Sequence, residues 1–186
     1  MPQSSIIGSS VIPFRLVFFM WLCFYLEQNY AWQISAYGIE PRTLKGLIGI
    51  FVGPMAHGDV YHLISNTIPL LFLGATLFYF YNAIAKAVFF RAYFWTNTLV
   101  WLFARPANHI GASGVVYGLA FFLIFFGIFR RDFRSIAISV ITLFLYGSVF
   151  YGVLPGDPGI SWESHLGGAL VGITSAITFG ARKRVG

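Results

Sequence analysis

Apolar residues along this chain come in long runs rather than in the alternation of a half-buried strand or the one-faced repeat of a surface helix. Read by runs and breakers, they predict six helices near residues 12–30, 60–81, 86–104, 113–129, 135–151 and 161–180. Each approaches the roughly 20 residues needed to cross a bilayer core of about 30 Å. Lipid leaves backbone groups nothing to bond but one another, so the spans should be helical. Alternating segments of about ten residues, the mark of a membrane barrel, are absent. The expected fold class is therefore all-α: a polytopic membrane protein, with residues 1–186 forming one domain of six transmembrane helices.

Composition agrees with the pattern. The chain is 58% hydrophobic and 10% charged, with a mean hydropathy of +0.75, whereas soluble domains carry about a quarter charged residues. A single cysteine, Cys23, excludes an intramolecular disulfide framework. The net charge of +6 does not point to nucleic acid, because the basic residues are scattered at span ends. The first run is read as a retained span rather than a leader. It runs from Val11 to Tyr30, longer than a leader's apolar region, contains Arg15, and has neither a basic stretch before it nor a small-residue cleavage pattern after it.

Between the first two spans, residues 32–59 are punctuated by Gly38, Pro41, Gly46, Gly49, Gly53 and Pro54. The apolar middle, Leu44 to Val52, is short, which predicts an interfacial or re-entrant hairpin rather than a seventh span. With six spans, one side holds both termini and gathers nine of the twelve basic residues, with Asp132 as its only acid. The other side holds Arg42, Lys45 and Arg105 beside five acids. The bias predicts cytoplasmic termini, with a bacterial or archaeal cytoplasmic membrane as the expected location.

On that topology, spans two, four and six begin at the outer face, and their polar residues lie near that end. Span two carries His62 and Asn66, which share a face at i and i+4. Span four opens on Gly111-Ala112-Ser113-Gly114, and span six carries His165 roughly 6 Å below its start. Ionisable groups at one depth inside a membrane suggest a functional site. Gly114 and Gly118 on span four, with Gly168 and Gly172 on span six, form ribbons that allow close backbone approach. Packed that way, Ser113 and His165 could reach the roughly 2.6–3.2 Å of a nucleophile and its base. Tyr117, one turn below Ser113, is placed to pack on the imidazole.

Each signal alone has an ordinary explanation. Glycine ribbons are most often packing, a serine near a helix start is usually a cap or bonds back to the helix, and a lone histidine can simply bridge helices. His62 and His165 could together bind a metal, but no third strong ligand converges, since His57 and His109 fall in loops and Asp59 lies outside. The coincidence on alternate spans is what favours catalysis.

At this point the residues resemble a known family. His57-Gly-Asp-Val-Tyr-His62-Leu-Ile-Ser-Asn66 resembles the H-x(4)-H-x(3)-N segment of rhomboid proteases. Gly111-Ala-Ser113-Gly-Val-Val-Tyr117 resembles their G-x-S-G motif, and His165-Leu-Gly-Gly168 followed by Gly172 their final-span H-x-x-G-x-x-x-G. The three occur in the family's order on spans two, four and six. The resemblance implies an intramembrane serine endopeptidase of the minimal six-span form, acting on transmembrane protein substrates without cofactor or metal. In it Ser113 would be the nucleophile and His165 the general base then acid. His62, Asn66 and the Ser113 backbone N–H would hold the oxyanion, at a helix start whose dipole favours negative charge. No acid within a span suggests a third triad member. It further implies lateral substrate access between spans two and five under a cap formed by Gly152 to Ile160. That loop's Pro155, Gly156, Asp157, Pro158 and Gly159 suit an ordered turn and a mobile loop alike. The aromatic residues of span five, Phe144, Tyr146, Phe150 and Tyr151, are expected to face lipid. One departure is the first loop, Glu40-Pro-Arg-Thr-Leu-Lys45, which lacks the Trp-Arg pair of some bacterial members.

Two other readings remain open on sequence: an inactive rhomboid-like protein that binds transmembrane helices, and a small channel or transporter using His62 and His165 in a proton path.

Overall fold

A computed structural model describes residues 6–181, and within them every regular element is helical. The helices are α1 (Ile6–Tyr30), α2 (Leu44–Val52), α3 (Val60–Phe80), α4 (Asn82–Phe103), α5 (Ser113–Arg130), α6 (Phe133–Tyr146), the single turn α7 (Val149–Gly152) and α8 (Trp162–Gly180). Short 3-10 turns at Ile34–Tyr37 and Gly53–Met55 flank α2. Three helices, over Ser10–Tyr30, Val60–Phe80 and Ser113–Arg130, are long and apolar enough to cross a membrane on composition alone. The 22-residue α4 and 19-residue α8 have the length. Their apolarity is diluted by Lys86, Arg91 and Asn97 in α4, and by the glycines, serines and threonines of α8.

The helix ends follow local chemistry. Asp59 caps α3 by accepting from the His62 N–H at 2.8 Å, and Asp132 caps α6 through Ser135 N–H at 3.0 Å. Arg131 ends α5 in the left-handed region (φ 58°), its N–H returning to Gly127 O at 3.0 Å. The expected start of span one shifts: α1 begins at Ile6, ahead of residue 12, and continues through Pro13. Span five also differs. It breaks at Gly147, leaving 14 residues in α6 and one further turn in α7, because a glycine followed by a serine weakly supports a continuous helix. The segment between α1 and α3 is no simple hairpin, since α2 is a helix bound to α4. Tyr93 Oη donates to Phe51 O at 2.5 Å, Asn97 Nδ2 to Ile50 O at 3.0 Å and Trp101 Nε1 to Thr43 O at 2.9 Å.

At the centre stands α5, with Leu119, Phe122 and Leu123 fully enclosed. Its closest neighbour is α8, along two glycine ribbons. A Cβ placed on Gly168 would collide with the carbonyl of Gly114, and one on Gly172 with the carbonyl of Gly118. On the other side, Gly127 lets α6 approach so that Ser139 Oγ donates to Ile124 O. A Cβ on Gly74 of α3 would lie 2.6 Å from the Pro13 ring, and there α1 joins the bundle. Without a hydrophobic drive in lipid, such close backbone approach is what dispersion needs to hold helices together. Not all of the span-five aromatics face outward. Phe144 and Tyr151 do, whereas Phe150 packs on Phe121 (centroids 4.9 Å) and Tyr146 on Phe72 (5.8 Å).

Candidate active site

One cavity of about 590 Å³ opens at the end of the bundle where α3, α5 and α8 begin. His62 and Asn66 from α3, Ser113 and Tyr117 from α5, and His165 from α8 all line it. Loop residues 158–161 and 107–110 complete the wall. The sequence-nominated side chains thus share one chamber, although no hydrogen bond joins Ser113 to His165.

Two contacts fix the His165 ring. Its Nδ1 lies 2.9 Å from Gly152 O, so the hydrogen sits on Nδ1 and Nε2 carries the free lone pair. Tyr117 stacks on the imidazole with centroids 4.0 Å apart and planes within 5°. The glycine at 152 is sterically required, because a Cβ there would strike the Tyr117 hydroxyl.

Ser113 is the first residue of α5. The N–H groups of Val115 and Val116 both return to Ala112 O, which leaves those of Ser113 and Gly114 without partners inside the helix. Gly111 turns the chain into that helix at φ +100°, a conformation suited to glycine. Its contact is equally restrictive, since a Cβ would sit 2.6 Å from the His62 ring. Gly111 N–H also donates to Gly53 O at 2.9 Å, tying the approach to Ser113 to the first loop. Gly114, one position past Ser113, lies against Thr96 of α4 and the Ser164 carbonyl of α8. Asn66 is buried, and its Nδ2 donates to His62 O at 2.8 Å. An amide nitrogen carries two hydrogens, so one remains for another acceptor.

Two loop histidines are built into the site more closely than their position in sequence suggests. Buried His57 meets His62 edge to face at 4.9 Å, and its Nε2 has no partner. Burial, and after it the neighbouring His62, pushes the His57 imidazole down to about 4. His109 is buried as well. Its backbone pairs with Ile39 in both directions, at 2.8 and 3.0 Å, and its ring joins Ser161 Oγ at 2.6 Å and Arg105 O at 3.0 Å. Among the described residues, no three His, Cys, Asp or Glu side chains gather to hold a metal ion.

Sequence reasoning missed Gly152, Arg105, His109, Ser161 and Glu163. Gly152 acts through its carbonyl, which leaves no mark in the sequence. Arg105 left one: a cation in the connection before span four, eight residues before Ser113.

Comparison with known proteins bears on the whole chain. The family description "Rhomboid domain" matches residues 45–182. Uncharacterized proteins of Mycobacterium tuberculosis and Mycobacterium bovis are each 32% identical over 200 residues, covering 98% of this chain and 79% of theirs. One from Mycobacterium leprae is 32% identical over 194 residues, covering 95% of this chain and 73% of its own.

Proposed function

From the premise that this integral membrane protein belongs to the rhomboid family, whose members are generally intramembrane proteases, we propose that it is a serine endopeptidase. It cuts peptide bonds in or beside the transmembrane segments of other membrane proteins, through a Ser113–His165 dyad. One observation carries the reading: Ser113 and His165, from separate helices, open on one cavity, with the His165 ring held at Nδ1 and its Nε2 left basic.

The reaction follows from those atoms. Ser113 Oγ attacks the substrate carbonyl while its proton passes to His165 Nε2, as in general-base catalysis. The charge that develops on the carbonyl oxygen is met by the Ser113 N–H, the spare Asn66 N–H and His62. Such donors are worth most where little water screens them, and losing one typically costs about 100-fold or more. The tetrahedral intermediate then collapses, the C–N bond breaks, and His165 returns the proton to the leaving amine. A water then attacks the acyl carbonyl, giving its proton to His165; the bond to Ser113 Oγ breaks, His165 returns the proton to that oxygen, and the carboxylic acid product leaves. The fixed tautomer suits both directions, because the Gly152 carbonyl stabilises the imidazolium as well as the neutral ring.

The active chamber faces outward, with both termini in the cytoplasm, by the distribution of basic residues. The mycobacterial relatives make a bacterial cytoplasmic membrane the natural location. A serine-directed phosphonate followed by intact-protein mass tests the reading. One adduct is expected on Ser113, absent in Ser113→Ala and strongly reduced in His165→Ala. A wild-type protein that stays unmodified, or an adduct that persists in Ser113→Ala, would refute it.

A further inference from the structure

Glycine ribbons bring α5 and α8 close, with Gly168 set against the Gly114 carbonyl and Gly172 against the Gly118 carbonyl. Ser113 and His165 sit at the extreme ends of those ribbons, where a slip of one residue is about 1.5 Å. A misplacement of about 1 Å can cost some 100-fold in rate. Contacts at the helix starts, beyond the ribbons, therefore bear directly on the register of the pair.

The segments that lead into the two helices are joined by a polar network. Arg105 precedes the Ser113 helix. Its Nη2 donates to Pro158 O and Ile160 O, each at 2.8 Å, and its Nε lies 3.5 Å from Glu163 Oε1 in the first turn of α8. The Arg105 backbone N–H reaches the same oxygen at 3.4 Å. A second arm runs through His109. Its Nε2–H donates to Arg105 O, so its Nδ1 accepts from Ser161 Oγ, and Ser161 Oγ accepts in turn from Ser164 Oγ at 2.7 Å. Ser164 adjoins His165, and its carbonyl borders Gly114 beside Ser113. Two of the parts are shielded, the Glu163 side chain at 10% exposed and His109 at 3%, while the Arg105 side chain is 34% exposed.

We propose that Arg105, His109, Ser161 and Glu163 form a clasp joining the lead-in of the Ser113 helix to that of the His165 helix, and that they are positioning residues for the pair. The proposal rests on the protease reading. Arginine suits the task because one planar fork spans two carbonyls and a carboxylate, which a lysine ammonium cannot match. The clasp also pins Pro158 and Ile160 at the cavity wall, so a purely loop-holding role is the competing explanation.

The two roles separate experimentally. A small phosphonate reacts with Ser113 without needing the outer loop to grip a long substrate. Phosphonate labelling rates, kcat and KM for a transmembrane substrate, and thermal unfolding should be measured for the wild type, Arg105→Lys, Arg105→Ala, Glu163→Gln and Ser161→Ala. Positioning predicts that Arg105→Ala lowers labelling and kcat together by about 10- to 100-fold, with KM little changed. Arg105→Lys should fall in between, and Glu163→Gln and Ser161→Ala should show smaller losses of the same kind. Labelling at the wild-type rate with a raised KM overturns the proposal in favour of loop holding. Where Arg105→Ala does not fold, Glu163→Gln and Ser161→Ala decide on the same criterion. A wild-type protein that does not label overturns the protease reading itself, and the clasp's role with it.

Discussion

A single methyl group at residue 152 should disable the base without touching it. Gly152 has no left-handed backbone demand, so Gly152→Ala tests space alone. The added Cβ would overlap the Tyr117 hydroxyl, and the next ring atom, Cζ, would lie only 2.9 Å away. Relief requires the Tyr117 ring or the α7 turn to move by more than about 1 Å, judged against ordinary contacts of about 3.5–4.0 Å. Tyr117 cannot yield freely, because it is stacked against His165 on one side and near Phe121 on the other. If the turn moves instead, the Gly152 carbonyl leaves His165 Nδ1. Either route disturbs the imidazole, and a shift of about 1 Å there predicts a loss near 100-fold in kcat. Overpacking of this kind should cost only about 1–3 kcal/mol in stability. The informative control is Gly152→Ala/Tyr117→Phe, which removes the clashing oxygen while keeping the stacked ring. Phosphonate labelling and cleavage of a transmembrane substrate in liposomes should both show partial recovery, since the Tyr117 ring atom Cζ still lies 2.9 Å from the new Cβ. The reasoning fails if Gly152→Ala is as active as wild type. It fails equally if the double variant is no better than the single one while Tyr117→Phe alone is active.

Three further perturbations test other parts of the structure. Asn66→Ala should lower kcat by about 100-fold while leaving the melting temperature nearly unchanged. An unfolded variant with normal activity per folded molecule would remove Asn66 from the oxyanion site. Gly172→Ala puts a methyl into the Gly118 carbonyl and within 2.9 Å of Phe122 N, so it should destabilise by about 1–3 kcal/mol in thermal unfolding. Wild-type stability would discredit the close α5–α8 packing. His57 is held down to about 4 by burial and by His62, so the unfolded chain binds the extra proton first. Stability should therefore fall as pH drops from about 6.5 towards 4 and level off below, by up to about 3 kcal/mol. His57→Gln should flatten that slope, and an unchanged slope would remove His57 as its source.

The helices were legible because a bilayer imposes one solution on any long apolar run: Val60–Phe80 and Ser113–Arg130 lie within a residue of their expected limits. The break at Gly147 was not, since a glycine inside an apolar run is tolerated or broken according to what packs around it, and that is a tertiary matter. Ser113, His165, His62 and Asn66 stood out for the same reason as the helices: a polar side chain in a membrane span needs a cause. Arg105 lies outside the spans, and Ser161 and Glu163 stand at the very start of the last one, where a polar residue is an ordinary feature of a helix end.

That contrast explains why a site of this kind forms at the mouths of the helices. Ser113, His62 and His165 each sit within the first turn or so of a separate helix, where the first N–H groups lack partners inside the helix and the shared cavity opens. A site buried deeper would gain rigidity from the ribbons but lose both water and the free N–H groups that hydrolysis requires. A site farther out would have water but no stacked Tyr117 or buried Asn66 to fix its geometry. On the protease reading, the rigid part of the bundle ends where the proposed chemistry would begin. The proposed clasp then gives the last ångström or so of register to short polar contacts between loops, the Gly152 carbonyl on His165 and the Arg105 fork across Pro158, Ile160 and Glu163.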